Sequence, residues 1–139
     1  MRNQIFLDSV FIIALVNADD DLHQQASRLS TRYEGYSFIV TDAVLLEIGN
    51  ALARNHKQGA VETIEGLLIS DDVEVVHLTP RLFQQALAVY KAYQDKAWGL
   101  VDCISFVVMK EAGVTAALTF DRHFEQAGFQ VLMREDAST

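Results

Sequence analysis

The sequence has little cysteine and few basic residues, and each shortage excludes a class of protein. A single cysteine, Cys103, can form no internal disulfide, so a disulfide-stabilised secreted scaffold is excluded and a reducing compartment is expected. The chain has 11 Lys and Arg residues against 19 Asp and Glu residues, which gives a net charge of −8. This balance excludes a passive basic surface for nucleic acid, but it does not exclude a nucleic-acid enzyme whose carboxylates hold metal ions.

The sequence also lacks long apolar runs, internal repeats and linkers rich in proline, glycine or serine. No apolar run approaches the ~18 residues that a membrane-spanning helix needs, and the first residues do not have the pattern of a secretory signal. The 139 residues are 50% hydrophobic, which is enough to build one core. We therefore expect a single domain over residues 1–139, cytoplasmic and without a membrane partner.

Short β-rich segments alternate with helical patterns along the whole chain. Strands are predicted over residues 5–7, 37–40, 73–78 and 116–120, with a fifth over 129–133. Helices are predicted over roughly 9–17, 21–34, 42–57, 60–70, 80–96 and 101–112, with a short one after Asp121. Thr79-Pro80 is a helix-start signal, and Gly59 and Gly113 stand where helices are expected to end. The alternation predicts an α/β fold whose mostly parallel sheet of four to five strands has helices on both faces.

Acidic residues recur where the predicted strands end. Asp8 follows the first strand, Asp121 follows the 116–120 strand, and Glu47 lies on the helix after the 37–40 strand. A fourth acid, Asp102, begins an apolar helix and shares its face with large side chains, so we expect its carboxylate to lie in a recess. Because functional crevices of parallel sheets lie beyond the carboxyl ends of the strands, these acids are candidates for one site.

Each acid also has an ordinary structural interpretation. Asp8 and Asp121 are suited to cap the helices that follow them, and Asp102 is stabilised at a helix start by the helix dipole. Glu47 stands where a salt bridge to Arg54 is possible. Taken together, however, clustered carboxylates raise one another's pKa values unless a cation is bound, and an oxygen-only ligand set suits Mg²⁺ or Mn²⁺. Such a site can polarise a phosphoryl oxygen and activate water, as in metal-dependent nucleases.

The acids stand in segments that resemble a known family, and the resemblance runs from Phe6 to Phe129. The segments are Leu7-Asp8-Ser9, Asp42-Ala43-Val44-Leu45-Leu46-Glu47, Val101-Asp102-Cys103-Ile104-Ser105-Phe106 and Leu118-Thr119-Phe120-Asp121-Arg122-His123-Phe124. Together they resemble the PIN-domain ribonucleases, and within them the VapC-type toxins of bacterial toxin–antitoxin modules. The resemblance implies a PIN-like fold and Mg²⁺- or Mn²⁺-dependent cleavage of RNA. It also implies that Asp8, Glu47, Asp102 and Asp121 bind the metal and are the catalytic acids.

The chain departs from the family at one position, and the resemblance also implies partners. Similar proteins usually carry Ser or Thr three positions before the third acid, where this chain has Gly99. The implied partners are the RNA substrate and a small antitoxin protein whose tail covers the acids. A homodimer is also implied, for which the apolar helix 82–93 is a candidate surface. The alternative function is a catalytically silent PIN-fold module that only binds another protein.

Four further residues have both a functional and a structural interpretation. The Ser9 hydroxyl is a candidate to support the neighbouring acid or to cap a turn. Trp98 is a candidate to stack on a base, to pack in the core or to contact a partner. Arg122 and His123 follow the fourth acid, where one of them would approach a phosphate or both would simply be solvated.

Overall fold

A five-stranded parallel sheet forms the centre of the computed structural model, which describes residues 3–136. Residues 1–2 and 137–139 of the predicted 1–139 domain lie outside the described residues. The sheet order is β3-β2-β1-β4-β5, and every neighbouring pair is parallel. The strands are β1 (Gln4–Leu7), β2 (Ser37–Thr41), β3 (Val73–Val76), β4 (Ala116–Leu118) and β5 (Gln130–Val131).

Helices connect the strands and cover the sheet. They are α1 (Ser9–Val16), α2 (His23–Arg32), α3 (Asp42–Ala51), α4 (Lys57–Ile69), α5 (Pro80–Ala92), α6 (Leu100–Ala112), α7 (Arg122–Gln126) and α8 (Leu132–Asp136). Successive residues of a strand point to opposite faces of its sheet, and Ile5, Phe6 and Leu7 of β1 are all buried. Both faces of the central strand are therefore covered, and the predicted α/β architecture is confirmed.

Local signals in the sequence explain several helix ends. The Thr79 hydroxyl accepts a hydrogen bond from the Leu82 backbone N–H at 3.1 Å, so the predicted start of α5 is confirmed. Gly113 ends α6 with φ +70°, a left-handed conformation that favours glycine, as predicted. The prediction for Gly59 is wrong because this residue lies inside α4. A Cβ atom there would meet Val16 Cγ1 at 2.8 Å, so glycine lets α4 approach α1 closely.

Several predicted boundaries need correction. The helix predicted over 42–57 ends at Ala51, and α5 ends at Ala92 although its pattern continues to 96. The strands predicted to reach 78 and 120 end at Val76 and Leu118. The fifth strand keeps only two residues of 129–133, because Leu132 begins the unpredicted helix α8. Helix α8 depends on tertiary contacts, among them a 2.7 Å hydrogen bond from Gln25 Nε2 to the Met133 carbonyl.

Within residues 3–136, no helix combines the length and the apolar content that a membrane crossing needs.

Candidate active site

Strand pairing brings two distant segments together at one edge of the sheet. Strands β1 and β4 are neighbours in which Leu7 is paired with Leu118, and the Asp8 backbone N–H donates to the Leu118 carbonyl at 3.2 Å. Asp8 therefore lies beside Thr119 at the carboxyl ends of both strands. Asp121 follows two residues later, at the start of α7. This edge is the place where parallel sheets carry their functional groups.

The Thr119 hydroxyl connects two of the acids. Its Oγ1 donates a hydrogen bond to Asp8 Oδ2 at 2.8 Å and accepts one from the Asp121 backbone N–H at 3.0 Å. Thr119 is fully buried, and Asp8 is 4% exposed. The hydroxyl thus fixes the side chain of the first acid and the backbone of the fourth with one oxygen atom.

His123 lies between the third and the fourth acids. Its Nδ1 is 3.0 Å from Asp102 Oδ2 and 3.4 Å from Asp121 Oδ1. Asp102 Oδ2 also accepts a hydrogen bond from the Gly99 backbone N–H at 3.0 Å, which fixes the carboxylate at the start of α6. Asp102, Asp121 and His123 each offer a ligand atom, and these three atoms lie within 4.8 Å of one another.

Glu47, on α3, is the remaining acid near Asp8, Asp102 and Asp121. It is half-buried and hydrogen-bonded to the Ser9 hydroxyl, and it lies close enough to Asp102 and Asp121 for their negative charges to act on it. The Ser9 hydroxyl therefore supports Glu47 in addition to standing beside Asp8. The structure brings together all four acids named from the sequence, Asp8, Glu47, Asp102 and Asp121, and we call this group the acid cluster.

Burial and the repulsion between neighbouring carboxylates raise the pKa values of two acids in the cluster, Asp8 and Glu47. Burial is the main reason that the pKa of Asp8 rises from 3.8 to about 7; the negative charges of Glu47 and Asp102 raise it further, and the hydrogen bonds from Thr119 and the Ser9 backbone oppose the rise. The pKa of Glu47 is raised by burial first, and then by Asp102 and Asp121. The cluster therefore carries an electrostatic cost that a bound cation would remove.

The donor set fits a divalent cation. Four carboxylates provide the oxygen ligands that Mg²⁺ and Mn²⁺ prefer, and the negative charges of neighbouring acids add to burial in raising the pKa values of Asp8 and Glu47. His123 adds one nitrogen beside Asp102 and Asp121. The described residues can therefore hold a divalent metal ion on the acids, with His123 as an additional ligand or hydrogen-bonding partner.

Of the ordinary structural roles expected for these acids, the structure shows some and not others. Asp121 does cap α7, because its Oδ1 accepts the His123 N–H at 2.9 Å. Asp8 occupies the capping position of α1, but its side chain makes no capping hydrogen bond and faces Thr119 instead. Among the described residues Glu47 forms no salt bridge with Arg54, since α3 ends before that arginine.

Sequence reasoning overlooked one residue of the site and left the roles of several others open. Thr119 was not singled out, although a hydroxyl two residues before an acid is a visible signal for a short turn. His123 contacts Asp102 and Asp121. Trp98 is a core residue, because it is buried, packs edge-on against Phe106 and donates its Nε1 hydrogen to Gln126 Oε1 at 2.9 Å.

Comparisons with known proteins agree with this arrangement. The family model of the PIN domain matches residues 5–130. The "23S rRNA-specific endonuclease VapC20" from two strains of Mycobacterium tuberculosis is 33% identical over 125 residues, which are 90% of this chain and 95% of that protein. The crystal structure of Mycobacterium tuberculosis VapC20, described as a sarcin-ricin loop cleaving toxin, superposes with a TM-score of 0.82. It is 32% identical to this chain, and the match covers 90% of this chain and 95% of that structure.

Proposed function

Because the chain belongs to the PIN-domain family and is a VapC-type ribonuclease, we propose that its acid cluster hydrolyses a phosphodiester bond of ribosomal RNA. PIN nucleases as a class use a divalent metal ion, and VapC toxins as a class act on RNA and are paired with antitoxins. The observation that carries the proposal is the geometry of Asp8. A buried carboxylate with its pKa near 7 accepts a hydrogen bond from Thr119 and lies near two further acids, which is an arrangement typical of a site that binds cations.

The proposed metal ligands are Asp8, Glu47, Asp102 and Asp121, and the proposed ion is Mg²⁺ or Mn²⁺. When bound, such an ion polarises a phosphoryl oxygen, lowers the pKa of an attacking water and neutralises charge on the leaving 3′ oxygen. The donor chemistry supports this assignment, because every proposed ligand is a carboxylate and hard divalent ions prefer oxygen.

The other side chains of the site orient these acids. Thr119 donates to Asp8 Oδ2, which fixes that carboxylate at the carboxyl end of β1. Asp102 Oδ2 is held by the Gly99 N–H and lies beside His123, which fixes the carboxylate on its helix. The Ser9 hydroxyl does the same for Glu47. Hydrogen bonds to metal-binding carboxylates keep them aimed before the substrate arrives, which lowers the cost of reaching the transition state.

The proposed substrate is the 23S rRNA. The support is the relative that is named for cutting it, which is similar to this chain over 95% of its own length. A cleavage assay on purified 23S rRNA, and on a hairpin with the sequence of its sarcin-ricin loop, tests the choice directly. Cleavage at other positions in total RNA would support the proposed ribonuclease activity but would identify a different substrate.

We further propose that the protein is one cytoplasmic domain over 1–139 with two protein partners, a small antitoxin that covers the acid cluster and a second copy of the chain. The support for a homodimer is the outer face of α5, where Phe83, Tyr90 and the following Tyr93 are 37%, 47% and 47% exposed. Aromatic side chains exposed at helical spacing are typical of a surface that pairs with another protein. Sedimentation of the purified chain, with and without Tyr90→Glu, tests the dimer.

The experiment that tests the function compares two matched double variants. Asp8→Asn/Asp102→Asn removes two acids of the cluster, whereas Asp71→Asn/Asp95→Asn removes two exposed acids that are not members of it. We expect the wild type and the control to produce discrete RNA fragments with Mg²⁺ or Mn²⁺, and none with EDTA or with the cluster variant. Absence of cleavage together with absence of any metal-induced stabilisation would favour a silent protein-binding module.

A further inference from the structure

Arg134 lies at the same edge of the sheet as the acid cluster. It belongs to α8, which follows directly after β5, the neighbour of β4. Its Nε donates a hydrogen bond to the Phe120 carbonyl at 2.8 Å, and its guanidinium carbon lies 4.5 Å from the centre of the Phe120 ring. Phe120 immediately precedes Asp121, so this arginine is fixed one peptide unit away from a proposed metal ligand.

Helix α8, which carries Arg134, is held in place by hydrogen bonds from α2. The buried Asp136 carboxylate accepts hydrogen bonds from Arg28 at 2.6 Å and from Gln25 at 3.2 Å, and Gln25 also donates to the Met133 carbonyl at 2.7 Å. These contacts tie α8 to α2 on both sides of Arg134. The arginine side chain is therefore positioned from its backbone and from its Nε atom together.

The outer end of the Arg134 guanidinium is left for a ligand. A guanidinium has five N–H donors, and only the one on Nε is used by the Phe120 carbonyl. Between residues 3 and 136 no carboxylate pairs with Arg134, whereas Arg28 and Arg32 both pair with Asp136. A planar fork of N–H groups, already immobilised and half-exposed, has the geometry that binds phosphate oxygens.

We propose that Arg134 binds a phosphate group of the RNA strand beside the acid cluster. The inference rests on the proposed function and assigns the contact that places the strand there. The protein carries a net charge of −8, so a phosphodiester gains little from the overall field and needs a local cation at the site. Immobilising the guanidinium in the free protein reduces the ordering cost of the contact.

The neighbouring Arg122 is a weaker candidate for the same contact. It is exposed at the start of α7, whereas Arg134 is held by Phe120 through both a hydrogen bond and ring stacking. A mobile exposed arginine loses side-chain entropy on binding a phosphate, so its net contribution is smaller.

The test measures RNA binding as a function of salt in the Asp8→Asn/Asp102→Asn background, which removes cleavage. The probe is a fluorescein-labelled hairpin with the sarcin-ricin loop sequence, and a second probe is a single-stranded RNA of the same length. The variants are Arg134→Gln, which can still donate to the Phe120 carbonyl but has no charge, Arg134→Met and Arg134→Lys. The matched control is Arg28→Gln, which removes an arginine of α2 that anchors the same helix but is not proposed to contact the RNA.

We expect Arg134→Gln and Arg134→Met to weaken binding of the probe that the protein prefers by about tenfold. The slope of log K against log salt should fall by about one, and Arg134→Lys should restore most of that slope. Arg28→Gln should lower the melting temperature and leave the slope unchanged. In the cleaving enzyme, Arg134→Gln should raise KM more than it lowers kcat.

If the wild type cuts RNA, two results would overturn the proposed Arg134 contact and leave the proposed function intact. One is a salt slope that stays the same in Arg134→Gln and Arg134→Met, whatever happens to their melting temperatures. The other is a slope that Arg134→Lys fails to restore, since a contact between charges should respond to the charge. A wild-type protein that neither binds nor cuts either RNA would instead overturn the proposed function, and the inference with it.

Discussion

Thr119 donates a 2.8 Å hydrogen bond to Asp8 across a separation of 111 residues in the chain. The contact exists because β1 and β4 are neighbours in the sheet, with Leu7 paired with Leu118. The same hydroxyl oxygen accepts the Asp121 N–H. A single buried side chain therefore fixes the relative positions of the first and the fourth acids.

Removing this hydroxyl should damage both the fold and the site. We expect Thr119→Val to lower the free energy of unfolding by about 1–3 kcal/mol, because the buried Asp8 carboxyl loses its donor. Cleavage should fall by about 10- to 100-fold, as is typical when a group that orients a metal ligand is lost. Urea unfolding and initial cleavage rates measure the two effects. Thr119→Ser, which keeps the hydroxyl, is the control, and equal behaviour of the two variants would contradict the role of the hydroxyl.

The raised pKa of Asp8 predicts a pH-dependent stability without metal. Below pH 3.8 the carboxyl is protonated in both the folded and the unfolded chain, so it costs nothing. Between pH 3.8 and about 7 the unfolded chain releases the proton and the folded chain keeps it, so the cost grows with pH and is constant above about 7. A pKa raised from 3.8 to about 7 corresponds to about 4 kcal/mol at most.

Asp8→Asn should remove that cost and still accept the Thr119 hydrogen bond. In EDTA we expect the variant to be more stable than the wild type at pH 8 and similar to it at pH 4. Urea unfolding at both pH values measures the difference, with Asp71→Asn as a control. If the difference in the free energy of unfolding between Asp8→Asn and the wild type did not increase with pH, the pKa of Asp8 would not be raised in the folded chain.

Divalent ions should stabilise the wild type through the acid cluster. An ion that binds only the folded chain adds about 2.7 kcal/mol at a concentration of 100 times its Kd, and the gain grows with concentration. We expect Mn²⁺ to raise the melting temperature of the wild type and of Asp71→Asn/Asp95→Asn. The Asp8→Asn/Asp102→Asn variant should show little response. A uniform rise in all three proteins would indicate nonspecific binding to the acidic surface.

Gly99 should accept a serine without loss. Its φ of −77° is ordinary for any residue, and a Cβ atom there would meet Asp102 Oδ2 at 3.8 Å, which is normal van der Waals contact. The residue caps α6, where serine is at least as good as glycine, so Gly99→Ser should change stability by only a few tenths of a kcal/mol and keep cleavage. Gly99→Val should lower stability by about 1 kcal/mol, because valine caps a helix poorly. Thermal unfolding and cleavage rates of both variants check this expectation.

The sequence predicts the sheet and the acid cluster because both depend on local patterns. Alternation of β-rich and helical segments is sufficient for the parallel sheet, and parallel strands bring Asp8 and Asp121 to one edge. The hydrogen bonds that support the acids cannot be predicted from local patterns, because they depend on which strands are neighbours. Nothing near Thr119 in the sequence reveals that its hydroxyl meets Asp8, and the short helix α8 is stabilised by Gln25 and other residues of α2.

The long separation between Asp8 and Thr119 also determines when the protein can act during its own synthesis. Asp8 leaves the ribosome first, but its hydrogen-bonding partner and Asp121 are translated more than a hundred residues later. A nascent chain that has not yet formed β4 carries only part of the acid cluster, because the sheet position beside β1 is still empty. The order of translation thus delays assembly of the acid cluster until β4 and Asp121 have been made.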